Sequence, residues 1–258
     1  MNNLIQNPAL AALASLPEPA AAHLAGVFPR EGCGLFVECD GAVVFVPCRN
    51  VAPSADHFTL PAQDWAAAED RGRVVAVLHS HPDAAPTPSM ADRVSCEASG
   101  LPWLIVSMYR DEAGNVRAGE QQWLLPEGYR APLLGRPFVH GVLDCYSLIR
   151  DWYRDERAIE LPDYPRRDGW WHEGGNLYRD HFAEAGFVAL PADAPLRRGD
   201  VLLMQVRATV DNHGAVYLGD GQMLHHLYGQ LSRRDTYGGY WLKHTTLRVR
   251  HVAEAGHA

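Results

Sequence analysis

The chain has 258 residues, enough for one large domain or two of ordinary size. Hydrophobic residues make up 47% and charged residues 21%, the composition of a soluble folded chain. Acidic side chains outnumber basic ones 31 to 23, a net charge of −8, which argues against nonspecific nucleic-acid binding because phosphate contacts need clustered Lys and Arg.

No stretch reads as a membrane span or a secretion signal. The most apolar N-terminal segment, Ala9 to Ala25, is broken by Pro17 and Pro19 and carries Glu18. Synthesis in the cytoplasm without stable membrane insertion is the expectation. Five cysteines (Cys33, Cys39, Cys48, Cys96, Cys145) form no C-x-x-C pair, so neither a disulfide framework nor an all-cysteine zinc site is expected.

Residues 7–26 have helical spacing interrupted near the prolines. Gly34–Cys39 and Ala42–Pro47 read as strands joined at Asp40-Gly41, a strong hairpin signal. Pro61 to Arg71 reads as a helix. Arg73 to His79 is a short apolar run typical of a buried strand. Pro88-Ser89 opens a helix reaching about Ala98, and Pro102 to Tyr109 returns as a strand. Pro126, Gly128, Pro132 and Gly135 then mark a linker over 126–135. This predicts one domain over 1–125 and another over 136–258. The second begins with a helix from Cys145 to about Arg157, followed by a Pro-, Arg- and Trp-rich loop (Pro162–Gly175) and a helix near Leu177–Ala185. Strands are predicted at Asp200–Val206, His213–Leu218, Gln222–Leu227 and Thr246–Val252. The fold class is therefore α+β in two domains: an α/β sheet domain, then helices followed by an antiparallel sheet.

Two constellations carry chemistry. In the first, His79 and His81 alternate on a strand and so project to one side. Asp92 lies one turn into the following helix, where a proline-rich loop can fold it back as a third ligand. Two imidazoles and a carboxylate suit zinc and leave a fourth position for water. Glu31, just before the first strand, is placed to take the proton of that water. Ser89-x-x-Asp92 reads equally as an N-terminal capping box. Glu31, His79-x-His81-Pro82 and Ser89-x-x-Asp92, with Asn50 after the hairpin, resemble the signature of the JAMM (MPN-type) metallopeptidases over roughly residues 7–120. That resemblance implies His79, His81 and Asp92 as zinc ligands, Glu31 as general base, and Ser89 as the hydroxyl that steadies the tetrahedral intermediate. The substrate it implies is a peptide or isopeptide.

In the second, Asp144 reads as an N-cap that puts Cys145 in the first helical turn, where the helix dipole favours a thiolate. A tight turn at Gly219-Asp220-Gly221 folds His213 and His225 toward each other across two strands. A buried Cys with two ordinary hairpin histidines would produce the same pattern. Asp144-Cys145, Arg197-Arg198-Gly199-Asp200, His213-Gly-Ala-Val-Tyr-Leu-Gly-Asp-Gly and His225 together resemble the NlpC-type cysteine peptidases, a papain-like fold, over about residues 133–252. Cys145 is then the nucleophile, His213 the general base and His225 the third polar residue, with His226 a one-residue slip away. That family usually carries a Tyr about a dozen residues before the nucleophile; Leu133–Phe138 has none, leaving the Cys145 backbone N–H as the remaining oxyanion donor.

The pairing of these two modules resembles the tail-tip assembly proteins of lambda-like phages. The resemblance implies other phage tail-tip proteins and host peptidoglycan peptide stems as partners. It also implies residence in the host cytoplasm during assembly and in the tail tip of the virion. The competing expectation is a non-catalytic tail component that uses both modules as docking surfaces.

Overall fold

The computed structural model describes residue 13 and residues 15–255. It divides between Arg130 and Ala131 into two compact units, each with its own sheet and core.

The first unit runs α1 (Glu18–Val27), β1 (Cys33–Cys39), β2 (Ala42–Cys48), α2 (Ala62–Glu69), β3 (Arg73–Pro82), α3 (Met90–Ser99), β4 (Trp103–Arg110) and β5 (Val116–Leu124). The part of the helical expectation that falls on residues 7–12 and 14 lies outside the described residues. Asp40 and Gly41 both have positive φ (50° and 78°), as a two-residue hairpin turn requires, and they set the antiparallel register of β1 on β2. The sheet order is β2-β1-β3-β4-β5, with β3 and β4 parallel across the α3 crossover and every other pair antiparallel. One face buries Leu35, Val37, Val77 and Ile105 with Ala68 of α2 and Cys96 of α3. The other buries Phe36, Leu78, Leu104 and Val106 with Ala20 and Leu24 of α1. β3 continues past His79 to Pro82, so His79 and His81 are both strand residues.

The second unit contains α4 (Cys145–Arg157), a 3-10 turn (Trp170–His172), α5 (Leu177–His181), β6 (Phe187–Ala189), β7 (Val201–Met204), β8 (His213–Gly219), β9 (Gln222–His225), β10 (Arg233–Thr236), α6 (Gly239–His244), β11 (Thr245–His251) and α7 (Val252–Ala255). Its antiparallel sheet has the order β10-β9-β8-β7-β11-β6. Leu148, Ile149, Trp152 and Tyr153 form the apolar stripe of α4 and pack on Val201, Leu203, Val216 and Leu224. No described helix is long and apolar enough to cross a membrane.

Six described elements escaped the sequence pattern, the 3-10 turn and α7 among them. β5 is a polar edge strand with little apolar alternation, and β6 and β10 are three and four residues long. α6 is a six-residue helix opened by Gly238-Gly239. The predicted helix over 177–185 stops at His181.

The stretch between the units is anchored at both ends. Glu97 accepts from the backbone N–H of Glu127 and Tyr129, while Leu133 packs on the core of the second unit. Leu133 thus belongs structurally with residues 136–258. A fragment beginning at Ala131 is expected to fold alone, and Leu133→Ala in it is expected to cost about 1–2 kcal/mol in urea unfolding, the value of a partly buried Leu. An unchanged midpoint would place Leu133 outside the folding unit.

Candidate active sites

The first site forms where β3 ends. His79 and His81 share the face of Val77, because strand side chains alternate. α3 returns on that face and supplies Asp92. The Nε2 atoms of the two histidines lie 3.1 Å apart. Asp92 Oδ1 lies 3.3 Å from His79 Nε2, and Oδ2 lies 3.5 Å from His81 Nε2. His81 Nδ1 donates to the Ala85 carbonyl at 2.9 Å, which leaves the Nε2 lone pair facing the cluster. The capping box is present as well: Ser89 N donates to Asp92 Oδ2 (2.7 Å) and Asp92 N donates to Ser89 Oγ (3.1 Å). The two readings of Ser89-x-x-Asp92 therefore coexist. The cap fixes the rotamer that turns the carboxylate toward the histidines, and the Ser89 hydroxyl keeps its own proton to donate.

Gly32 anchors Glu31 beside the cluster. Its N–H donates to Ser80 Oγ, its carbonyl accepts from Ser80 N, and Ser80 sits between the two histidines. Burial pushes the Glu31 carboxyl up to about 8, with His81 opposing and Asp92 reinforcing. For Asp92, burial would raise the value, but the His79, His81 and Ser89 contacts outweigh it and hold the carboxyl well below the usual range. His79 is fully buried, and burial lowers its value. Its ring stacks on Phe58 (4.8 Å) and meets the edge of Trp103 (5.5 Å). Phe58 is placed there by Asn50, whose amide nitrogen donates to the carbonyls of Glu31 and His57 while its oxygen accepts from Ala52 N and Thr59 N.

The second site forms where α4 begins. Asp144 caps the helix by accepting from Ser147 N at 2.9 Å, and Ser147 Oγ accepts in return from Asp144 N. Cys145 occupies the first helical residue and lines a cleft of about 580 Å3 together with His213. The β8–β9 hairpin brings His213 Nε2 to 3.2 Å from His225 Nδ1, both rings being buried. His226 bonds the Gln230 carbonyl instead, so His225 is the hydrogen-bond partner of His213.

The electrostatics reverse one expectation. A helix start and a nearby imidazole favour a thiolate, yet burial and then the Asp144 charge push the Cys145 thiol up to about 11, with hydrogen bonds from Tyr178 and the Gly214 backbone opposing. Burial, His225 and His226 push His213 down to about 3. Burial thus favours the neutral form of both thiol and imidazole.

The profile for prokaryotic homologs of the JAB domain matches residues 13–123, and that of the NlpC/P60 family matches residues 135–250. Tail tip assembly protein K of Escherichia phage N15 is 42% identical over 233 residues, 89% of this chain and 91% of that protein. The chain belongs to the tail tip assembly protein K family. The protein of that name from Escherichia phage lambda is 42% identical over 191 residues, 74% of this chain and 88% of that one. A solved NlpC/P60 family protein from Bacillus cereus ATCC 10987 aligns over 92% of this chain and 69% of its own at 11% identity and a TM-score of 0.33.

Three residues of this K-family chain join the second site without any signal in its local sequence. Arg166, from the Pro- and Trp-rich loop, donates to Asp144 at 2.6 Å, and both side chains are nearly inaccessible. Tyr178 places its hydroxyl 3.2 Å from Cys145 Sγ. Asp235 of β10 lies 3.7 Å from His225 Nε2 and accepts from Trp241 Nε1 at 3.2 Å.

Burial would raise the Asp144 carboxyl, but the Arg166 guanidinium and the Ser147 N–H outweigh it and hold the value at about 2. The folded value lies below the ordinary one of about 3.9, so Asp144 stabilises the fold above that pH. The contribution is lost as pH falls toward about 2. Arg166→Ala leaves this carboxylate buried without its counter-ion. The expected cost is about 3–5 kcal/mol in urea unfolding at pH 7, with a higher acid midpoint. A loss below about 1 kcal/mol would mean that the helix N–H groups alone hold the charge.

Proposed function

We propose that the chain is a tail-tip peptidase with two chemistries: a cysteine peptidase in residues 131–258 acting on the peptide stems of host peptidoglycan, and a zinc metallopeptidase in residues 1–130 acting on a peptide or isopeptide bond. The observation that carries the first is the cleft lined by both Cys145, at the start of a capped helix, and His213, which is paired with His225. With both partners neutral at rest, His213 takes the thiol proton as the sulfur attacks the carbonyl carbon. His225 keeps the His213 ring oriented, and Asp235 faces the outer nitrogen of His225. The C–N bond then breaks, and the amine leaves with the proton held by His213. Water, losing a proton to His213, splits the resulting thioester and restores the thiol.

Support for the metal is the geometry of the donor set. Tetrahedral zinc with bonds of about 2.0–2.1 Å spaces its ligand atoms about 3.3 Å apart. The two histidine Nε2 atoms lie 3.1 Å apart, each faces a different oxygen of Asp92 at 3.3 and 3.5 Å, and with one ligand atom per residue the set of His79, His81 and Asp92 falls within 4.8 Å. Zinc bound there supplies an acidified water and a polarised carbonyl. Glu31, in its ionised form, would accept the proton of the attacking water and pass it to the leaving nitrogen, and the Ser89 hydroxyl would donate to the oxygen of the tetrahedral intermediate.

The relatives are tail tip assembly proteins, which supports assembly in the host cytoplasm, residence in the virion tail tip, and contact with neighbouring tail-tip proteins.

Elemental analysis of the purified chain is expected to find about one zinc, lost when His79 and His81 are both changed to Ala. Stoichiometric zinc in that double variant would sink the assignment. Purified wall fragments incubated with wild type are expected to lose intact stems by mass spectrometry, and Cys145→Ala is expected to leave them whole. Equal cleavage by both proteins would remove Cys145 from the reaction. If neither protein cleaves, the docking role is what remains.

A further inference from the structure

The thiol of Cys145 is touched by a group from outside the Cys–His–His set. Tyr178, on the short helix α5, is 33 residues downstream of Cys145, and its phenol oxygen lies 3.2 Å from Sγ. The ring is held from two sides. Tyr146 meets it edge-on at 6.1 Å, and the bare backbone of Gly214 lies against the hydroxyl end. A Cβ at Gly214 would fall 2.8 Å from the Tyr178 oxygen and 2.8 Å from Ile149 Cδ1. The residue after His213 therefore has to lack a side chain for the phenol to reach the sulfur.

A contact between a neutral thiol and a phenol can be donated from either side. Once the thiol proton has left, only the phenol can donate, and the bond becomes charge-assisted and stronger. Burial and the Cys145 charge raise the phenol well above its usual value, so it keeps its proton throughout. An interaction that strengthens as charge develops is the kind that lowers a barrier rather than merely tightening binding. The carbonyl oxygen under attack belongs to the carbon that bonds Sγ, within reach of a donor already in contact with the sulfur.

We propose that Tyr178 is a catalytic hydrogen-bond donor of the second unit, stabilising first the Cys145 thiolate and then the oxyanion of the tetrahedral adduct. The proposal rests on the cysteine-peptidase reading above. Proton and electron pairs balance without the phenol ionising. The Sγ proton goes to His213, the sulfur pair forms the S–C bond, and the carbonyl pair moves onto oxygen, where the Tyr178 hydroxyl and the Cys145 backbone N–H receive it. When that pair returns, the C–N bond breaks and the amine departs with the His213 proton.

The test uses the full chain and two readouts: steady-state cleavage of purified soluble wall fragments, and the pH profile of Cys145 alkylation by iodoacetamide followed by peptide mapping. Tyr178→Phe is expected to lower kcat by about 10²–10³-fold, the effect of removing one oxyanion donor, with KM within about twofold. Its alkylation profile is expected to move to higher pH, because the thiolate loses a bond that favours it. Replacing Tyr178 with 3-fluorotyrosine keeps the ring in place and strengthens the donor, so that profile is expected to move to lower pH. A packing role would leave both profiles where they are. Wild-type kcat in Tyr178→Phe, or profiles unmoved in both variants, overturns the proposal. Should Tyr178→Phe fail to fold, the fluorotyrosine shift decides. Should the wild type cleave no stem while Cys145 remains alkylatable, the peptidase reading fails and the alkylation arm still decides whether Tyr178 holds the thiolate.

Discussion

Asp144 is a carboxylate buried almost completely at the start of α4, and its oxygens are taken up by Ser147 N, Gly141 N and the Arg166 guanidinium. An ionised group in so dry a place persists only while those donors remain in position, so the helix start, the 141 turn and the loop bearing Arg166 are fixed relative to one another. Cys145 is the next residue, and its direction into the cleft follows from that constraint. The apolar stripe of α4 then sets the helix on β7 and β8, which brings His213 to the same cleft.

Both units use the same local device for different ends. In each, a capping box starts the helix at the site, with a serine and an aspartate three residues apart exchanging hydrogen bonds. In the first unit the aspartate stands inside the helix, at Asp92, and its carboxylate also faces two histidines. In the second it stands at the cap, at Asp144, and its charge is spent on Arg166 and the backbone. A carboxylate engaged in this way has little rotational freedom left, which suits it to holding a geometry to a fraction of an ångström.

Burial sets the direction of the proton affinity at four groups of the two sites, while at Asp92 and Asp144 the paired donors outweigh it. It raises Glu31 and Cys145 and lowers His79 and His213, in each case toward the neutral form. The charges that remain, on Asp92 and Asp144, are paired with fixed donors. Charge that develops during reaction meets fixed donors in a dry site, where they are worth more than they would be in water.

The local sequence by itself determined the elements that carry the named residues. The Asp40-Gly41 hairpin, the alternation that puts His79 and His81 on one face, the start and end of α4 and the pairing of β8 with β9 all follow from interactions within a few residues, where propensity and turn chemistry act. The short or polar edge strands β5, β6 and β10 left no such trace, because their pairing energy comes from the neighbouring strand rather than their own pattern. Which of His225 and His226 faces His213 was decided by strand register. Only the tertiary structure brought Phe58 onto His79, Arg166 onto Asp144, Tyr178 onto Cys145 and Asp235 toward His225. The same holds for the thiol itself: its place at a helix N-terminus was local and legible, but its proton affinity depends on how much water the whole fold excludes, a sum over distant residues that no short window contains.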